Sequence, residues 1–132
     1  MAKNNDVRTW LLRVALASVF LFHGLGKVLG PGGVGGFADM MKLPLFVAWL
    51  VALAEVGGGL GLIVGGLKFG PAWISRLSGL VIIPVMIGAI ALVHWPRWSF
   101  VPTESYPMGG MEFQLVLLLI AAWFALGGGD QA

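Results

Sequence analysis

Cysteine is absent from the 132 residues. Within this sequence that excludes a structural disulfide, dithiol redox chemistry and iron–sulfur ligation by thiolates. Charge is scarce as well. Only 11 % of residues are Asp, Glu, Lys or Arg, against about 25 % in ordinary soluble domains. A soluble fold of this length would have too little polar sequence to cover its surface. The net charge of +2 is small and dispersed, which argues against a nucleic-acid partner. Period-two alternation is missing, and with it the case for a β-barrel. There is no paired histidine ladder and no serine nucleophile elbow. The glycine-rich "GLGKVLGPGGVGG" lacks the Walker spacing, and it follows an apolar run, not the strand that a dinucleotide-binding turn requires.

What is present is apolar sequence: 58 % hydrophobic residues and a mean hydropathy of +0.93. Four segments stand out, at about residues 10–29, 45–67, 73–93 and 108–127. A helix needs about 20 residues to cross a ~30 Å hydrocarbon core, so each can span. The fourth is the weakest, because its fully apolar part, residues 115–126, is short. The expected fold is all-α: a four-transmembrane-helix bundle, one integral membrane domain over residues 1–132. The first segment follows a basic start, Lys3 and Arg8, but no small-x-small cleavage site closes it. It reads as a retained helix, not a signal peptide. With both termini cytoplasmic, Lys3, Arg8, Arg13, Lys68 and Arg76 fall at the inner face and Lys27, Lys42 and Arg97 at the outer. That bias predicts an N-in/C-in arrangement. The first outer connection is glycine-rich and then amphipathic. The last carries Trp95, Trp98 and Tyr106, which suit an interfacial aromatic belt or a lid over an outer site.

Inside the second segment stands one carboxylate, Glu55. An acidic residue at mid-membrane costs ~2.5–3.5 kcal/mol on insertion scales, so it should face the bundle interior with a partner. At 100° per residue it shares a face with Ala48, Ala52, Gly59, Leu62 and Gly66, while Gly57, Gly61 and Gly65 form a second small ridge nearly opposite. Small residues let neighbouring helices approach closely. The first segment offers the partners. Arg13, Ala17, Phe20, Gly24 and Lys27 lie along one line, with Arg13 and Lys27 about 21 Å apart on the axis. Either cation can bend toward Glu55, and the planar, permanently charged fork of Arg13 favours it for a buried pair. Each cation can instead snorkel to its own interface. Glu55, Arg13 and Lys27 are the candidate intramembrane polar core.

His23 and His94 end the first and third segments on one side of the membrane. Two such histidines can hold a b-type haem or part of a metal site, but a hydrogen-bonding role outweighs that reading, and no metal site is assigned. Glu112 opens the fourth segment on the same side, where the helix dipole favours an acid. His23, Lys27, His94 and Glu112 form the candidate outer-face ligand cluster.

The order of these residues resembles the DoxX family of small four-helix membrane proteins. The resemblance runs through "LLRVALASVFLFHGLGKVLGPGG", "LPLFVAWLVALAEVGGGLGLIVGG", the histidine closing the third helix and "GGMEFQLVLLLIAAWFALGGG". It implies a multi-pass protein of the cell inner membrane, linked to oxidoreductase systems as a membrane subunit or quinone-facing partner. The resemblance leaves the cofactor open, with haem disfavoured and one candidate a quinone. A quinone would need an apolar cleft with a donor or proton relay at its carbonyls, which the outer cluster could supply. Partners would be the lipid bilayer and a protein of a membrane redox complex, and a homo-oligomer is compatible. Two other readings stand beside it. One is a non-enzymatic scaffold or assembly factor that binds partner helices. The other is a small proton-coupled transporter centred on Glu55, which would require oligomers.

Overall fold

The computed structural model describes residues 6–130. Lys3, counted above with the inner-face cations, lies outside the described residues. Every regular element among them is helical: α1 (Val7–Leu29), α2 (Gly33–Met41), α3 (Leu45–Gly66), α4 (Ala72–Ala89) and α5 (Glu112–Ala125). A π-helical turn, Ile90–His94, continues α4. The Asp6 carboxylate caps α1 by accepting from the Arg8 N–H at 3.1 Å. Pro44 and Pro71 stand immediately before α3 and α4, where a missing N–H costs nothing.

Three helical stretches are long and apolar enough to cross a membrane: Val7–Leu29, Leu45–Gly66 and Ala72–His94. The expected fourth, 108–127, is shorter than its apolar sequence suggests. Its helix has 14 residues, a rise of about 21 Å, because the residues before Glu112 are held in a loop. There the N–H groups of Gly109, Gly110 and Met111 donate to the carbonyls of Tyr106, Ser99 and Arg97. The first outer connection contains α2, a short helix laid over α1 and α3. Gly32 and Gly33 make the turn into it with φ of 74° and 61°, values that glycine adopts without a Cβ clash.

The helices pack in the order α1, α3, α4, α5, with only sparse contact between α1 and α5. The core joins Leu16, Ala17 and Phe20 of α1 to Leu62, Ile82, Met86, Leu117, Ala121 and Phe124. Large apolar side chains point outward on every long helix, among them Phe22, Leu53, Leu80 and Leu119. Lipid, not water, matches such a surface. Association in lipid rests on close packing, and α3 supplies it on two sides. A Cβ on Gly59 would meet Leu21 Cγ of α1 at 2.8 Å, and one on Gly58 would meet Ile82 Cγ1 of α4 at 2.8 Å. One end of the bundle carries the tight turn 67–71 and the last described residues. The opposite end carries α2 and the loop 95–111.

Candidate functional site

Glu55 lies in the middle of α3 and is 4 % exposed. Lys27, near the end of α1, donates from Nζ to Oε2 at 2.8 Å and to Oε1 at 3.1 Å. The two helices come this close because α1 has a glycine at the crossing. A Cβ on Gly24 would meet Glu55 Cβ at 3.0 Å and Val56 Cγ2 at 2.7 Å. Over the pair lies α2. The Phe37 ring sits 4.8 Å from Lys27 Nζ, a cation–π contact. Val34 and Ala38 pack on Ala48 and Ala52, the same α3 stripe that carries Glu55. The mid-helix carboxylate is thus paired, bonded at both oxygens and roofed.

Arg13 takes no part in this pair, contrary to the expectation that its fork would be preferred. It is fully buried and does not snorkel. Its guanidinium donates to Leu62 O at 2.6 Å, Ser75 Oγ at 2.8 Å and Gly129 O at 2.9 Å, and lies 5.1 Å from the Phe124 ring centre. Leu62 is two turns beyond Glu55 on α3, about 10 Å along the axis. The physical reason is the helix dipole. α3 and α5 both end beside Arg13, and helix C-termini carry partial negative charge and unsatisfied carbonyls. Two such ends help to balance the guanidinium, and the Asp130 carboxylate on the tail adds its charge. Gly66 makes room, since a Cβ there would meet Arg13 Cδ and Nε at 2.7 Å. Nε is sealed in this contact without a hydrogen-bond partner. The tail that delivers Gly129 turns back through Gly127 N–H to Phe124 O and Gly128 N–H to Trp123 O. Asp130 then pairs with Arg76.

The four residues proposed as an outer cluster are not bonded to one another, although His23 feels the charge of Lys27 one turn along α1. Lys27 is engaged by Glu55. His23 is exposed, with its ring edge-on to Phe22 at 5.4 Å. His94 is buried, with Nδ1 2.9 Å from Gly109 O. Glu112 accepts from the Phe100 N–H through Oε1 at 2.9 Å. No hydrogen bond or ion pair among the described residues joins any two of His23, His94 and Glu112. His94 and Glu112 brace the loop 95–111 by pairing two of its backbone groups. Among the described residues no group of three or more His, Cys, Asp or Glu is placed to hold a metal ion.

Sequence reasoning missed Ser75 and Gly129. Ser75 and Ser78 face Gly65 and Gly61 across the α3–α4 contact, and that matched small-residue spacing was a usable signal. A backbone carbonyl such as that of Gly129 leaves none.

Comparison with known proteins places these residues in a family context. The DoxX family model matches residues 9–95, a stretch that includes Arg13, His23, Lys27, Glu55 and His94. The chain is 34 % identical over 128 residues to "Putative oxidoreductase CatD" of Bacillus subtilis (strain 168), covering 97 % of this chain and 84 % of that protein. It is 36 % identical over 65 residues to "Inner membrane protein YqjF" of Escherichia coli (strain K12), covering 49 % of this chain and 50 % of that one. No solved structure matches it significantly.

Proposed function

This chain belongs to the DoxX family of membrane proteins, and from that premise we propose that it serves a redox system of the cell inner membrane as a membrane subunit or quinone-facing partner. One relative is named an oxidoreductase and another an inner membrane protein, which supports both halves of the reading. The observation that carries it is the Lys27–Glu55 pair. A quinone within the bilayer needs apolar surroundings, a donor to its carbonyl and a route for a proton. Lys27 is a donor with its side chain 17 % exposed, and Glu55 beside it is 5 % exposed and can accept a proton. Arg13 completes the polar core by holding the helix ends in register. In this reading all four long segments cross the membrane, α5 being extended by its flanking loop, and both termini are cytoplasmic. A topology reporter fused at Ala132 that is active only on the periplasmic side would overturn that orientation.

The functional test is quinone content. Protein extracted gently from native membranes should carry quinone, and Glu55→Gln should lose most of it while melting within a few degrees of the wild type. Unchanged quinone in Glu55→Gln, or none in the wild type, overturns the reading. One observation favours the alternative of a scaffold or assembly factor: neither the furrow at Ile87 and Ala91 nor the depression beside Lys42 and Tyr106 touches Lys27 or Glu55. On that reading the ion pair joins α1 to α3, and a stoichiometric protein partner should co-purify without quinone.

A further inference from the structure

Two surface depressions meet at Trp95, and their chemistry differs. The larger, about 470 Å³, lies at the loop end between the last residues of α2, the π-helical turn and residues 105–108. It mixes the donors Lys42, Ser105 and Tyr106 with apolar side chains such as Met40 and Met108. The smaller, about 370 Å³, is a furrow of Ile87, Ile90, Ala91 and Trp95, all apolar. Trp95 is common to both linings, so a polar head compartment lies on one side of it and an apolar furrow of α4 on the other. The π-helical turn shapes the junction. Trp95 N–H donates to Ile90 O at 2.8 Å, one residue further back than an α-helix allows.

The head compartment is built in advance. Thr103 and Tyr106 exchange backbone hydrogen bonds, the Gly109 N–H donates to Tyr106 O, and His94 holds Gly109 O. Two groups in it are underused. Tyr106 Oη reaches Trp95 O only at 3.4 Å, well beyond the ~2.7–2.8 Å of a good hydroxyl bond. Lys42 is exposed and forms neither a hydrogen bond through its side chain nor an ion pair among the described residues. It also sits at φ 55°, a left-handed position where glycine or asparagine is usual. Asp39, one turn earlier, does not line the compartment.

We propose that this head-and-tail track binds an anionic phospholipid. Lys42 meets the phosphate, Tyr106 and Ser105 donate to its oxygens, and one acyl chain follows Ile87 to Ala91 beneath Trp95. The charge decides among amphiphiles. A neutral ring headgroup offers Lys42 no anion, and a choline headgroup carries the same phosphate but sets its own cation near Lys42, with no carboxylate in the lining to meet it. Free phosphate would use the head compartment but not the furrow. The site is separate from the Lys27–Glu55 pair and does not depend on the redox reading.

The test is thermal melting of the full, delipidated protein in detergent with phosphatidylglycerol, phosphatidylcholine, inorganic phosphate or decylubiquinone added. Phosphatidylglycerol should raise the melting temperature by roughly 5 °C more than phosphatidylcholine at saturation, and phosphate alone should not. Lys42→Asn, which suits the left-handed backbone, should abolish the difference between the two lipids without lowering melting in phosphatidylcholine. Tyr106→Phe, a variant that keeps the ring, should reduce it. Ala91→Phe, filling the furrow from an exposed position, should weaken both lipids' effects. Equal shifts for the two lipids, or a difference that survives both Lys42→Asn and Tyr106→Phe, overturn the proposal as annular lipid contact only. A phosphate shift as large as the phosphatidylglycerol shift overturns the lipid assignment. A decylubiquinone shift that Lys42→Asn removes, with none for phosphatidylglycerol, gives the site to quinone instead.

Discussion

Arg13 and Lys27 lie on one stripe of α1, yet their charges are satisfied in opposite ways. Lys27 meets a carboxylate, Glu55, in the middle of the bundle. Arg13 meets two backbone carbonyls, a serine hydroxyl and an aromatic face at the turn end. The difference follows from what each level of the bundle offers. Mid-helix backbone groups are already paired within the helix, so a cation there needs an acid. At the turn end, carbonyls of α3 and the tail, the helix dipoles and the charge of Asp130 do the same work together. The shapes of the two cations fit this division. A guanidinium reaches three acceptors around a plane, and an ammonium suits a single carboxylate.

The sharpest way to break the comparison is to remove Arg13. Its partners come from α3, α4 and the tail after α5, so Arg13→Ala leaves acceptors unpaired on three elements and opens a cavity. Hydrogen bonds to a charged group are worth about 1.5–3 kcal/mol each, and cavities add to that. A total loss of about 4–5 kcal/mol is expected, read as detergent melting or failure to accumulate. Arg13→Lys should recover little of it, because an ammonium cannot reproduce the fork. If Arg13→Lys melts like the wild type, the planar geometry is not what matters at this end.

Glu55→Ala comes next. Breaking a buried pair costs ~3–5 kcal/mol, and the lower end applies because Lys27 retains 17 % exposure and can turn toward the interface. Glu55→Gln should lose about half as much, since the amide still accepts from Lys27. Equal and negligible melting changes in both would mean that α1 and α3 are held by shape alone.

A smaller effect separates the two ends along one ridge. On Gly65, at the Arg13 level, an added Cβ meets Ser75 Oγ and comes within 3.0 Å of the Ser75 backbone nitrogen. On Gly57, near the Glu55 level, it meets nothing within 4 Å. Gly65→Ala should cost about 2 kcal/mol through overpacking and disturb the serine that Arg13 uses. Gly57→Ala should be neutral, or stabilising by about 0.5–1 kcal/mol through helix propensity. Similar melting in the two variants would show that the α3–α4 contact yields at the Gly65 level.

How far the sequence could be read follows the same physics. The three long helices were legible because apolar length and composition decide them, and their ends fell within a few residues of expectation. Glu55 was legible as buried and paired, because a lone acid in a long apolar run has few alternatives. Its partner was narrowed to Lys27 or Arg13, and the structure takes Lys27. The fork argument favoured Arg13, but a backbone carbonyl, unlike a side chain, has no letter in the sequence. The same blindness hid where α5 begins and which main-chain groups His94 and Glu112 serve. Both side chains serve main-chain groups of a loop whose path depends on tertiary contacts.

The smallest expected effect concerns that loop. His94 holds Gly109 O, and Glu112 holds the Phe100 N–H, so each contributes one hydrogen bond to residues 95–111 and none to the helix–helix core. A single bond of this kind is worth about 1 kcal/mol. His94→Ala and Glu112→Ala should therefore lower the melting temperature of the bundle by only a few degrees, far less than Arg13→Ala or Glu55→Ala. Their effect should be local. Amide exchange should quicken at Phe100, Tyr106 and Gly109 while the middle of α3 stays protected, because opening a braced loop does not expose the packed helices. The loop also forms one wall of the groove at Trp95, so both variants should weaken its response to phosphatidylglycerol. Uniform acceleration across α3 and α4 would instead make His94 and Glu112 part of the bundle's own support, and the contrast between a structural core and a braced loop end would fail.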